Sequence, residues 1–172
     1  MGYSDPENKP WTAKKIVEIN PKTVLDIGAG QGVYLDLIRR DLDGSVVVDA
    51  VEAWEPYVDQ FHLHNRYSDV YVVDVRDHHF GKKYDLVICG DVLEHMSEKD
   101  ALDIWDKIST VAKYAIISIP IIHYHQEAIN GNPYEVHEEE DWSSERVLNS
   151  FKGIVDHKEF TVTGTFIAKF DE

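Results

Sequence analysis

Among 172 residues there is one cysteine, Cys89, so no internal disulfide forms and a reducing compartment suits the chain. Basic residues are scarce: seventeen Lys and Arg stand against thirty-two Asp and Glu, a formal net charge of −15. Non-specific nucleic-acid affinity rests on Lys and Arg displacing counterions from phosphates, and no basic run concentrates them here. DNA is therefore not an expected partner. No apolar run approaches the ~20 residues that span a bilayer, so no membrane is expected either. The start, Met1 to Trp11, is polar and lacks the apolar centre of a secretory signal. Pro6 stands where a myristoylated Gly2 would need Ser or Thr. These absences predict a cytoplasmic protein. Internal repeats and low-complexity tracts are missing as well.

What is present reads as one domain over 1–172. A chain near this length buries roughly 70% of its unfolded surface, enough for a real core. Short apolar runs recur at Thr23–Ala29, Ser45–Glu52, Asp69–Val75, Tyr84–Gly90 and Tyr114–Pro120. Such near-continuous runs suit parallel strands covered on both faces. Between them, Val33–Arg40, Trp54–Tyr67 and Glu98–Val111 carry helical spacing; Ala101, Ile104, Trp105 and Ile108 mark one face of the last. Strand and helix in alternation predict an α/β fold with a parallel sheet. Gly153–Phe160 and Gly164–Phe170 lie too close together for a helical crossover, so they should pair antiparallel. An N-terminal segment, 1–22, precedes the first strand. Ile121–Ser144 is a long connection with six acidic residues and three histidines, and loops of this length are usually functional or disordered.

The first strand runs into Asp26-Ile27-Gly28-Ala29-Gly30-Gln31-Gly32. Glycines let the backbone turn tightly and approach a ligand at the start of the following helix. A nicotinamide fingerprint would need its third glycine where Val33 stands, so the spacing is G-x-G-x-G. Glu52 ends the second strand about twenty residues on, where a carboxylate can accept from both ribose hydroxyls. Asp74 ends the third and could accept from an exocyclic amine. All three acids, Asp26, Glu52 and Asp74, fall near carboxyl ends of parallel strands, where open α/β sheets bind ligands.

These residues resemble the class I S-adenosylmethionine-dependent methyltransferases. VLDIGAGQG is similar to their first motif, VDAVEAWEPYV to the second, DVYVVDVRD to the third and YDLVICGDVLEHM to the fourth. The resemblance covers roughly Pro21 to Pro120 and implies a Rossmann-like, doubly wound sheet of five parallel strands plus the C-terminal antiparallel hairpin. It also implies S-adenosylmethionine as cofactor. Gly28, Gly30 and Gly32 would pass beneath its methionine portion and Asp26 would help hold its amino group. Glu52 would bind the ribose, Asp74 with Val75 the adenine, and Gly90 with Asp91 would close the pocket near the sulfonium. Asp91 to Met96 is similar to the small-molecule branch. The Asn/Asp-Pro-Pro-aromatic motif of enzymes acting on adenine or cytosine amino groups is replaced by Gly90-Asp91-Val92-Leu93, and Cys89 reads as core. The acceptor expected is thus a small molecule, methylated at oxygen or nitrogen.

His95 follows the fourth strand and is a candidate base or positioning group. The long connection leaves the fifth strand beside the expected cofactor, so it should wall the acceptor site. His123 and His125 are its catalytic candidates; Tyr134, Glu135, His137 and Trp142 are its substrate candidates. His123-x-His125 and Glu135-x-His137 match no zinc spacing, so no metal is expected. Glu138–Asp141 reads as the acidic start of a helix. With so short an N-terminal segment, the lid would be Tyr3 and Trp11, the connection, a homodimer or a partner subunit. The rival readings are a non-catalytic S-adenosylmethionine-binding module, a nicotinamide oxidoreductase, and methylation of RNA or protein within a complex.

Overall fold

β-branched runs that bury both faces need helices above and below them, and the chain supplies these in alternation. A computed structural model describes residues 5–171. In chain order the elements are α1 (Lys9–Ile19), β1 (Thr23–Ile27), α2 (Val33–Asp41), β2 (Val47–Glu52), α3 (Glu55–Gln60), α4 (Leu63–Arg66) and β3 (Val70–Val72). Then come β4 (Tyr84–Gly90), α5 (Glu98–Val111), β5 (Ala112–Pro120), α6 (Ser144–Ser150), β6 (Ile154–Glu159) and β7 (Thr163–Lys169). They form a seven-stranded sheet in the order β3-β2-β1-β4-β5-β7-β6. Strands β1 to β5 pair in parallel, and β7 runs antiparallel to both β5 and β6. The expected five-plus-two arrangement is therefore present, with β7 next to β5 and β6 at the edge.

Period two along each strand divides the core. On β1 and β4, Leu25, Ile27, Val87 and Cys89 enter one cluster, with Trp105 of α5 and Phe151. Val24, Leu86 and Ile88 face the other, with Ile16 of α1, Leu35 and Ile38 of α2 and Leu63 of α4. Cys89 is fully buried, and burial pushes its thiol well up from the ordinary range, so it is core as expected. The chain reverses direction across the sheet between β1 and β4, which opens a crevice at their carboxyl ends.

Four local expectations need correction. The helix expected over Trp54–Tyr67 is broken: His62 takes a left-handed conformation (φ 52°) and separates α3 from α4. β3 is short because Asp74 accepts a hydrogen bond from the Arg76 amide and starts a 3-10 turn over Val75–Asp77. The N-terminal segment contains α1, entered at Asn8, whose buried amide donates to Ser118 Oγ at 2.7 Å. Finally, Glu138–Asp141 begins no helix; α6 starts at Ser144, capped by the Ser143 hydroxyl. Two of that run's backbone amides, Glu138 and Glu139, instead donate to the Glu94 carbonyl.

Candidate active site

The turn after β1 is shaped by what would collide with a side chain. A Cβ on Gly28 (φ 71°) would lie 2.4 Å from Val92 Cγ2, closer than carbon atoms tolerate. Gly30 (φ 48°) would meet only the Gly28 carbonyl, at 3.8 Å. Its amide donates to Glu52 Oε2 at 2.8 Å, while Glu52 Oε1 accepts from the Trp54 amide at 2.8 Å. Burial pushes the Glu52 carboxyl up from the ordinary range, and the two amides oppose that rise. Across the turn, the Tyr34 ring occupies the place where a Cβ on Gly90 would stand, and the Lys9 ammonium donates to its hydroxyl at 3.1 Å.

Above the strand ends lies a cavity of about 420 Å³, within the size range of small-molecule sites. Its floor is Gly28 to Gln31 with Gly90 and Asp91, and Glu52, Asp74 and Val75 line one end. His95 lines the cavity too, with Tyr124, Tyr134, Glu135 and His137 of the long connection; Tyr134 and Glu135 reach the Glu52 side, against Trp54 and Tyr57. Six carboxylates line it: Asp5, Glu52, Asp74, Asp91, Glu94 and Glu135. The guanidinium among the lining residues, Arg76, is paired with Asp74 at 2.6 Å. The field inside thus favours a cation.

The connection is held in place by its own polar groups. The His137 amide donates to the Gln126 carbonyl at 3.0 Å, and the Gln126 side chain donates to the Glu135 carbonyl at 2.7 Å. Tyr57 of α3 donates to Glu135 Oε1 at 3.1 Å, so the connection reaches the helix that follows β2 and Glu52. His95, ending a 3-10 turn over Leu93–His95, has Nδ1 3.1 Å from the Val136 carbonyl. His137 Nδ1 lies 2.7 Å from the Tyr124 carbonyl, and the two imidazoles meet edge to face at 4.9 Å. Burial lowers both histidines from their ordinary value, so each is neutral near pH 7.

Comparison with known families decides what this cavity belongs to. The family described as "Methyltransferase domain" matches residues 12–163, most of the chain. The chain belongs to that family. It is an S-adenosylmethionine-dependent methyltransferase of class I fold. Similar solved structures include an S-adenosylmethionine-dependent methyltransferase from Clostridium acetobutylicum (TM-score 0.71, 16% identity, 95% of this chain and 91% of that one). Another is the N-terminal domain of EvdMO1 with SAH, S-adenosylhomocysteine, bound (TM-score 0.69, 12% identity, 97% and 82%). A third is the mitomycin 7-O-methyltransferase MmcR (TM-score 0.65, 13% identity, 94% of this chain and 54% of that one). No curated protein sequence matches this one.

The residues present fit the methyl donor of this methyltransferase. S-adenosylmethionine carries a sulfonium and an ammonium, and the cavity is lined by carboxylates. Glu52 stands at the end of β2 with both oxygens facing amides of the cavity wall, and Gly30 leaves open space where a side chain would intrude. A pyrophosphate would meet the same carboxylates as repulsion, which counts against the nicotinamide reading.

Most of the expected site residues come together. Gly28, Gly30, Glu52, Asp74, Val75, Gly90, Asp91, His95, Tyr134, Glu135 and His137 all line the cavity. Five do not. Asp26 shares the face of β1 that carries Val24, and it is fully buried beneath the floor, accepting from the Tyr67 hydroxyl at 2.6 Å. Gly32 caps α2 (φ 76°), and the space beside its Cα is filled by the Arg66 guanidinium, which donates to the Gln31 carbonyl at 2.7 Å. His123 and His125 point outward, to Asp141 at 2.8 Å and Glu140 at 2.5 Å, because side chains alternate along this run and Tyr124 and Gln126 take the inward positions. Trp142 is core: 2% exposed, with its ring on Phe151 at 5.3 Å and under the Arg146 guanidinium at 4.4 Å. Of the expected lid residues, Tyr3 lies outside the described residues, and Trp11, on α1, packs against the core. Asp5, Tyr34, Tyr57 and Glu94 line the cavity in addition to the residues expected there. Glu94 had a signal, since it directly precedes His95 in the fourth motif.

Proposed function

We propose that this methyltransferase transfers the methyl group of S-adenosylmethionine to a small molecule, at an oxygen or nitrogen atom. The observation that carries the reading is that the 121–144 connection and the His95 turn, joined by the contact of His95 Nδ1 with the Val136 carbonyl, add a wall to the cavity at the strand ends. An acceptor there must be small enough to enter beside the donor. MmcR, an O-methyltransferase of similar fold, supports the same class.

In this reading Asp74 and Val75 hold the adenine, Glu52 accepts from the ribose hydroxyls, and Gly28 and Gly30 lie under the methionine portion. Gly90 and Asp91 border the sulfonium. The donor supplies an electrophilic methyl group, so the chain has only to align the acceptor atom in line with it and let the acceptor's proton leave. His95, with His137 beside it, is the group placed to meet the acceptor.

The first test is thermal unfolding with SAH, with NAD as control. Ligand at a hundredfold excess over its dissociation constant adds about 2.7 kcal/mol, roughly 5–10 °C at this size. A shift with SAH alone is expected; a shift with NAD instead, or none with SAH, overturns the cofactor assignment. The second test adds methyl-labelled donor to a cell extract separated by size. Label in the low-mass fraction is expected, and label confined to protein or RNA overturns the small-molecule reading.

A further inference from the structure

Glu94, His95 and His137 converge at the acceptor end of the cavity, and one ligand-capable atom of each lies within 4.8 Å of the others. No sequence spacing announces the set, because His137 comes from the long connection and the other two from the turn after β4. The two imidazoles are held in a particular way. Each has Nδ1 against a backbone carbonyl, Val136 for His95 and Tyr124 for His137, so each presents the lone pair of Nε2. Metal-binding histidines are oriented in this manner: the outer nitrogen donates to a carbonyl or carboxylate, fixing tautomer and ring plane.

Glu94 is the independent observation. Its side chain is 1% exposed, and its Oε2 accepts no hydrogen bond from any described residue. A buried carboxylate oxygen without a partner costs free energy unless something of opposite charge meets it. The charged groups that act on it are the carboxylates of Asp91 and Glu135, not a lysine or arginine. Two neutral imidazoles beside it offer nitrogen donors but no charge. The missing complement is a cation small enough to sit among three side chains.

We propose that Glu94, His95 and His137 form a divalent transition-metal site, of Zn²⁺ type, at the acceptor end of the cavity. Two nitrogens and one carboxylate oxygen are a donor set that suits zinc, and three protein ligands leave a position open. Around an ion with bonds of about 2.0–2.1 Å the ligand atoms of a tetrahedron stand about 3.4 Å apart, so small rotations of the three side chains close the site. All three residues line the cavity, so the open position faces it.

The catalytic consequence rests on the proposed function, whereas binding of the ion does not. A Lewis acid at that position would take an acceptor oxygen and ease loss of its proton. The proton goes to solvent, the oxygen–carbon bond forms as the carbon–sulfur bond breaks, and the electron pair of that bond returns to sulfur, leaving SAH. This refines the role of His95 from base to ligand and favours oxygen over nitrogen as the methylated atom.

The test is metal binding by the full chain after treatment with chelator, followed by thermal unfolding and by metal analysis of the dialysed protein. Zn²⁺ is expected to bind one per chain and raise the melting temperature, with Mn²⁺ weaker and Mg²⁺, which prefers oxygen ligands, weakest. Glu94→Gln and His137→Gln should each weaken Zn²⁺ binding by more than about 100-fold, the upper end of what loss of an outer-shell partner alone costs. Glu94→Gln keeps the size and shape of the side chain and adds no charge, so the metal-free variant should unfold close to the metal-free parent, which keeps folding separate from binding. The surface pair His123 and His125, beside Glu140 and Asp141, could also attract zinc, so the double variant H123A/H125A must keep the shift. The proposal is overturned by absence of one tight site in the parent, by an undiminished shift in Glu94→Gln, by loss of the shift in H123A/H125A, or by Mg²⁺ binding where Zn²⁺ does not. The SAH shift of the same metal-free protein is measured in parallel, so failure of the donor reading is seen separately.

Discussion

The two ends of the cavity are built by different means. The donor end is made from strand termini and the glycine turn, where regular hydrogen bonding fixes which way each side chain points. The proposed acceptor end is made from a connection whose backbone is irregular, with Asn130 and Gly131 in left-handed conformations and a 3-10 turn over Pro133–Glu135. In a strand, the period of two in the residue pattern separates inward from outward positions. In the connection, that assignment depends on how the segment folds back on itself, and a shift of one residue exchanges His123 and His125 for Tyr124 and Gln126. The contrast teaches that the side chains at the strand ends are placed by local pattern and those of the connection are not.

The largest expected effect tests whether Trp142 belongs to the core rather than to the acceptor wall. Trp142→Ala should cost about 3–5 kcal/mol of stability, as expected for deleting a buried indole. Trp142→Phe, which keeps the contact with Phe151, should recover most of it. Denaturant titration measures both. If the alanine variant kept its stability and lost acceptor turnover alone, the core assignment would fail.

Asp26 sharpens the donor side. Its carboxyl is pushed up to about 7, first by burial and then by the nearby Glu52, against the hydrogen bond from Tyr67. Because the folded value exceeds the unfolded one of about 3.9, the native state holds a proton that the unfolded chain has released. Stability therefore falls as pH rises through that window, by an amount on the order of 4 kcal/mol, and the full cost is present above pH 7. Asp26→Asn still offers Tyr67 an acceptor and should flatten the slope between pH 4 and 7. A slope unchanged in that variant would show that another group sets it.

Glu52 is where the local reading meets the cofactor. Glu52→Ala should weaken SAH binding by roughly 2–4 kcal/mol, because hydrogen bonds to a charged group contribute about 1.5–3 kcal/mol each and are not additive. Calorimetric titration with SAH reads this directly. His137→Gln, in the connection and beside His95, should leave SAH affinity within a few-fold of the parent. Equal losses in the two variants would erase the distinction between the two ends.

Much of the frame is legible in the sequence for identifiable reasons. Glu98–Val111 has apolar residues at helical spacing and Ser97 as its cap, so helix and boundaries agree. Tyr84–Gly90 coincides with β4 because its apolar run is bounded by lysines on one side and by the left-handed Asp91 (φ 57°) on the other. The break at His62 carries no glycine or proline to announce it. Helix α1 is hidden because Lys9 and Thr12 are among the residues it buries, which blurs its apolar stripe. Asp26 does stand at a strand end, and only its direction differs from the expectation: alternation on β1 sends it under the sheet with Val24, while Leu25 and Ile27 face the other cluster. Glu94 is buried only once the connection lies over it, with the Glu138 and Glu139 amides on its carbonyl. That contact is non-local and leaves no mark in the motif.

The smallest effect is the most direct check of the acceptor wall. His123 and His125 face solvent and carboxylates, so H123A/H125A should leave SAH affinity and methyl transfer within about twofold of the parent, as expected for exposed ion pairs. His125 has a titration of its own. Glu140 beside His125 raises that imidazole above its ordinary value, so the attraction is complete below the unfolded value and disappears as pH climbs through the folded one. Proton NMR of the His125 ring should show the raised midpoint in the parent and a lower one in Glu140→Gln, where Glu127 alone still raises it. If the midpoint stayed put, the ring would not be facing Glu140. The alternation that turns Tyr124 and Gln126 into the cavity would then have to be shifted by one residue.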